Sequence, residues 1–121
     1  MQNSRITLLS SAVRAVTNST SVIANPGARG LHLVIDMTAV PGVDTVTPKI
    51  EGYDETSQKY YTILTGAAIV ATGTTVLKIY PGITASANVA VSDILPDSFR
   101  VTMTHSAATN FTYSVGASLI G

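Results

Sequence analysis

The sequence contains no cysteine, and only 12% of its 121 residues are charged. Without cysteine there is no disulfide framework and no thiolate zinc site. Seven basic residues balance seven acidic ones. With no basic excess to neutralise a phosphate backbone, nucleic acid is not an expected partner. No apolar run reaches the ~18 residues of a membrane-spanning helix, so no membrane is expected either. The opening "MQNSRITLLSSAVRAV" is too polar for a signal peptide, and the expectation is a protein without an export signal of that kind. The sequons Asn18-Ser19-Thr20 and Asn110-Phe111-Thr112 then read as chance matches. A phosphate-binding glycine motif is missing as well, because Gly27 and Gly30 precede a strand pattern and not a helix. Globular chains carry roughly 25% charged residues. The deficit fits two readings: a surface partly covered by other subunits, or a small neutral β-domain kept in solution by Ser and Thr.

What is abundant is β-branched: 17 Thr, 13 Val and 10 Ile. These residues favour the pleated surface of a strand over a helix, and the good helix formers Glu, Lys and Gln are scarce. The clearest strand is "LHLVIDMTAV", with Leu31, Leu33, Ile35, Met37 and Ala39 on one face and His32, Val34, Asp36 and Thr38 on the other. Pro26-Gly27 and Pro41-Gly42 bound it as turns. A second strand runs through "TVTPKIEGY". Pro48 cannot donate to a ladder, which predicts an edge position or a bulge there. The polar "DETSQK" predicts a hairpin turn into "KYYTILTG". "TTVLKIY", "FRVTMTH" and "FTYSVGASLI" follow as strands, with "GAAIVATGTT" a short strand or packed loop. In "RITLLSSAVRAV", Ile6, Leu9, Val13 and Val16 fit a helical stripe, while composition favours a strand. The length suits one domain, 1–121, with 1–28 as a possible extended N-terminal strand or arm. The expected fold is an all-β antiparallel sandwich of seven to eight strands with Greek-key or jelly-roll-like topology.

Residues 81–98 form a long connection of mostly small or apolar residues, uncommon inside a compact domain. A Greek key needs a return of this length between sheets. "ANVAV" is a candidate short strand within it, and Pro81-Gly82 and Pro96-Asp97 are candidate corners. Ile83, Val89, Val91, Ile94 and Leu95 are the candidate subunit-interface residues.

Reactive chemistry is sparse. His32 and Asp36 share a strand face, but four residues along a strand is about 13 Å, too far for a hydrogen bond or a shared metal. His105 closes an alternating strand, and either histidine could meet a serine in space. Surface or satisfied histidines are the plainer reading. Asp54 and Glu55 sit in a turn without calcium-loop spacing. No catalytic, cofactor or metal residue is assigned. Tyr53, Tyr60 and Tyr61 flank the hairpin turn and form a candidate surface aromatic patch for a sugar or a subunit; ordinary cross-strand packing is the plainer account of them.

The stretches "NPGARGLHLVIDMTAVPG", "GYDETSQKYYTILTGAAI", "TTVLKIYPGITASANVAVSDILPDSFRVTMTH" and "FTYSVGASLIG" resemble a group of small structural proteins of tailed-bacteriophage virions. The resemblance spans nearly the whole chain. It implies a non-enzymatic head decoration or cement protein that stabilises the head by binding between capsomers. It places the chain on the head surface of the phage particle after synthesis in the bacterial cytoplasm. The implied partners are the major capsid protein or other virion subunits, with a homo-oligomer in the particle. It carries over no catalytic, cofactor or metal residue. The alternatives are a tail or fibre component and, from a different class, a carbohydrate-binding β-module using Tyr53, Tyr60 and Tyr61.

Overall fold

The computed structural model describes residues 2–121, so Met1 of the expected domain lies outside the described residues. All regular structure is β. Ten strands follow in order: β1 (Ser4–Arg14), β2 (Asn18–Ser19), β3 (Ile23–Ala24), β4 (Gly30–Ala39), β5 (Val46–Asp54), β6 (Lys59–Thr65), β7 (Gly73–Ile79), β8 (Ala90–Val91), β9 (Ser98–His105) and β10 (Phe111–Ile120). They form two packed five-stranded sheets. The first runs β1-β10-β4-β7-β8, and the second runs β2-β9-β5-β6 with β3 also on β9. The strand total exceeds the expected seven to eight because β2, β3 and β8 are two-residue strands that hem sheet edges.

The core is built by alternation. Leu31, Leu33, Ile35 and Met37 of β4 are all within 1% of complete burial, as are Phe111, Tyr113 and Val115 of the adjacent β10. Facing them from the second sheet are Val46 and Ile50 of β5 and Phe99, Val101 and Met103 of β9, all fully buried. Each such side chain contributes about 1.5–3 kcal/mol of transfer free energy. Ala39, expected on this inward face, is exposed where β4 leaves the core.

The ambiguous N-terminal segment is a strand. Its register against β10 shifts between Thr7 and Leu9 and again between Leu9 and Ala12. The shifts leave Ile6, Leu8 and Leu9 all partly buried, which breaks strict alternation, while Val13 and Val16 of the helix-like stripe stay exposed. Residues 15–17 then carry the chain across to the second sheet, where β2 and β3 pair successive parts of β9.

Two expectations are corrected. β5 is an interior strand, not an edge, paired with β9 on one side and β6 on the other. Pro48 is tolerated because its carbonyl accepts from Gly66 N–H at 2.8 Å, just past the end of β6, so its ring nitrogen also faces that side and no β9 bond is lost. The register shift in that ladder lies between Ile50 and Glu51, not at the proline. The sandwich is also not wholly antiparallel, since β8 pairs β7 in parallel through Lys78↔Ala90 and Ile79↔Val91. The connection after β7 loops back before re-entering the sheet, and a strand reached that way arrives in the same direction. It then crosses to β9 in the second sheet, the inter-sheet return expected of residues 81–98.

Candidate functional site

The crossover divides its apolar side chains between the core and solvent. Leu95 is 3% exposed and belongs to the core, and Val91 packs partly buried against it. Both are therefore taken up within the chain. Ile83 is half-buried, and Val89 and Ile94 are exposed. The segment is held by Ser86 N–H to Ala90 O at 3.0 Å, Ala90 N–H to Ser86 O at 2.9 Å and Leu95 N–H to Arg29 O at 3.0 Å. Asn25 ties the facing loop to it. Its side-chain nitrogen donates to Ala28, Leu95 and Pro96 carbonyls, and its oxygen accepts from the Gly27 and Ala28 amides.

The three tyrosines separate. Tyr53 and Tyr60 are a cross-strand pair with ring centroids 4.8 Å apart. The Arg100 guanidinium lies 3.4 Å from the centroid of Tyr60 and covers one face of that ring. Tyr61 points to the opposite face of the sheet, over Gly52, where any Cβ would collide with its ring. No three-ring platform forms. Next to the pair, Glu51 is 6% exposed and accepts from Thr102 Oγ1 at 2.6 Å and Arg100 Nε at 3.0 Å, with Lys49 Nζ at 3.5 Å. Burial alone would raise its carboxyl. The two hydrogen bonds and the charges of Arg100 and Lys49 outweigh burial and hold it below the usual carboxylate range.

The histidines are far apart in role. His105 is buried, with Nε2 2.9 Å from Tyr113 Oη. Desolvation, and then the charge of Arg14, push its imidazole below the ordinary histidine range. His32 lies on the outer face of the first sheet, one row from Val34 and two from Asp36. Among the described residues neither ring hydrogen-bonds a serine or threonine hydroxyl, and no group of three or more His, Asp or Glu is placed to hold a metal ion. Among them, too, no helix is long and apolar enough to cross a membrane.

The two ends of the sandwich differ in charge. At one end the loops 15–17, 40–45, 66–72 and 106–110 meet, joined by Thr45 N–H to Ser106 Oγ and by Thr109 Oγ1 to Asp44 Oδ2. Asp44 is the single charged residue in those loops. Here Val13, Val16, Val43 and Val70 are 62%, 65%, 62% and 60% exposed. The opposite end carries Arg29, Asp54, Glu55, Asp93 and Asp97. Sequence reasoning missed the valine end because its members come from three separate stretches, 13–16, 40–45 and 66–72, that only the fold brings to one end.

No protein-family model matches the chain, and no curated protein matches it. Among solved structures, a chain of "Structure of infectious bursal disease virus Gx strain" is similar in fold, with a TM-score of 0.50 at 12% sequence identity. The match covers 97% of this chain and 31% of that one, so this chain spans less than a third of its length.

Proposed function

We propose that this chain is a non-enzymatic structural protein of a virus particle, a decoration or cement protein bound between capsomers of a phage head. The observation that carries the reading is the valine end: four exposed valines from three stretches of chain, with Asp44 as the single charge in the surrounding loops. Exposed apolar residues gathered on one part of a surface mark a place that another protein covers. The fold likeness to a chain in a virus structure, and the sequence resemblance to phage virion proteins, are in keeping with it. On a particle, many copies add modest contacts that together resist internal pressure.

The test is electron microscopy of particles carrying the wild-type chain, beside particles assembled with Val43→Asp/Val70→Asp. The expected result is density at capsomer junctions that the double variant loses while its free form unfolds at the wild-type denaturant midpoint. Density on the tail would replace the head reading with a tail component. Full occupancy by the variant would remove the valine end from the contact.

A further inference from the structure

One cross-strand row of the first sheet places Arg5 (β1), Ser118 (β10), His32 (β4) and Lys78 (β7) side by side on the outer face. Paired positions in a sheet project to the same side, so these three basic or titratable groups and a hydroxyl point outward together. Three adjoining hollows of about 440, 260 and 190 Å³ are centred there, and His32 lines all of them. No carboxylate lines any of the three. Among the described residues, Arg5, His32 and Lys78 meet no acidic side chain. Arg100 and Lys49, by contrast, are satisfied by Glu51. The largest hollow runs along β10, where Gly116 leaves open space between the walls formed by β1 and β4. The third is apolar, formed with Ile79, Tyr80, Ile83 and Ile120. The face therefore offers a basic row beside an apolar socket. Its complement is a carboxylate next to a large aliphatic side chain on an exposed turn.

The chain carries that complement just past β8, the strand beside β7. Asp93 is exposed and its Oδ1 accepts the Ile94 amide at 2.7 Å, while Ile94 is 64% exposed. The turn is clamped on both sides, by Val91 in β8 and by Leu95 buried in the core. A fixed turn loses little freedom on docking. Asp44–Val43 has the same residue types, but Asp44 is already bonded to Thr109. We infer that the Asp93–Ile94 turn of one copy docks in the His32-centred hollows of a second copy. The carboxylate lies against Arg5, His32 and Lys78, and Ile94 enters the socket at Ile83 and Ile120. Socket and turn share no residue, so one copy can give its turn to one neighbour and receive the turn of another, and this head-to-tail contact propagates to a ring or a chain of copies. Ile83 then acts from the receiving side and Ile94 from the inserting side. The contact needs no particle and stands independently of the virion reading.

Sedimentation velocity on the purified chain tests it. The wild type should self-associate with a salt-sensitive constant. Arg5→Glu/Lys78→Glu and Asp93→Lys/Ile94→Ser should each weaken association about tenfold or more. Mixed together, the two variants should form a dimer and nothing larger, because one intact socket and one intact turn remain. Self-association of either variant at the wild-type level, or failure of the mixture to pair, overturns the proposal. So does a wild type that stays monomeric at concentrations near about 1 mM. If that monomeric wild type still requires Arg5 and Lys78 to join particles, the occupant is an acidic segment of another protein, and the second copy is ruled out.

Discussion

The phenol oxygen of Tyr113 lies 2.9 Å from both His105 Nε2 and Asn18 Nδ2, and so links β10, β9 and β2 across the two sheets. The amide of Asn18 donates to the phenol oxygen, and the phenol and His105 Nε2 share the second hydrogen bond. His105 Nδ1 and Asn18 Oδ1 have no partner and are buried. Arg14 lies 5.0 Å over the Tyr113 ring and donates to the Tyr113 carbonyl at 2.7 Å. An imidazole in a desolvated site beside a guanidinium resists protonation.

That arrangement sets a pH dependence. The folded protein holds His105 below its ordinary 6.5, through desolvation first and Arg14 second. Its contribution is therefore complete above about 6.5, the unfolded value, and is lost as pH falls from there through the folded value. Urea unfolding midpoints should be flat from pH 8 to 7 and fall between 7 and 5. A His105→Gln variant should lose that step. An unchanged slope between pH 7 and 5 in the variant would place the acid sensitivity elsewhere.

Tyr113→Phe should be costly although the ring stays. It strips Asn18 and His105 of their shared partner, and a buried polar group left unpaired costs about 1–3 kcal/mol. Chemical denaturation gives the loss. Asn18→Ala in the Tyr113→Phe background should then cost less than in the wild type, since its main bond is already gone.

Glu51 reports a lower pH window. Its carboxyl is below 4.5 in the folded state, because two hydrogen bonds and two cations outweigh burial. Its stabilisation is present above about 4.5 and disappears as pH falls through the folded value. Glu51→Gln should flatten the stability profile below pH 4.5 and leave the His105 step untouched. At pH 7 the loss should reach about 3–5 kcal/mol if the pair behaves as fully buried, and less here because Arg100 and Lys49 remain 26% and 32% exposed.

Alternation made the main strands readable in the sequence. Leu31 to Met37 and Phe111 to Val115 repeat every second residue because one face meets the core and the other does not. The edges were not readable. Pro48 announces a missing donor but not which neighbour would have received it, and that depends on where β6 stops. β2 and β3 are too short to show a period; β8 lies within the expected "ANVAV", but its direction follows from the path of the loop before it. The candidate sites fared likewise. Ile94 and Leu95 are adjacent and both apolar, yet one is on the surface and the other in the core. Long-range ties, Leu95 N–H to Arg29 O and Asn25 Nδ2 to Leu95 O, hold Leu95 in place, and no local pattern announces them. The row Arg5–Ser118–His32–Lys78 joins residues far apart in sequence, and no local pattern marks it.

The adjacency of Ile94 and Leu95 gives a paired experiment on the crossover. Leu95→Ala removes a side chain that is 3% exposed, and should cost about 2–5 kcal/mol through lost transfer energy and the cavity left behind. Ile94→Asp alters a side chain that is 64% exposed, so its unfolding free energy should stay within about 0.5 kcal/mol of wild type. Assembly should respond in the opposite order. Ile94→Asp puts a second carboxylate beside Asp93 on the exposed turn, and burying that charge against a neighbour is costly. Occupancy per folded molecule should fall with Ile94→Asp and hold with Leu95→Ala. The measurement is denaturant unfolding of each free variant, beside its occupancy on particles corrected for the folded fraction. Wild-type occupancy by folded Ile94→Asp would mean that the crossover serves only the inter-sheet return, leaving the valine end at Val13, Val16, Val43 and Val70 as the face for assembly.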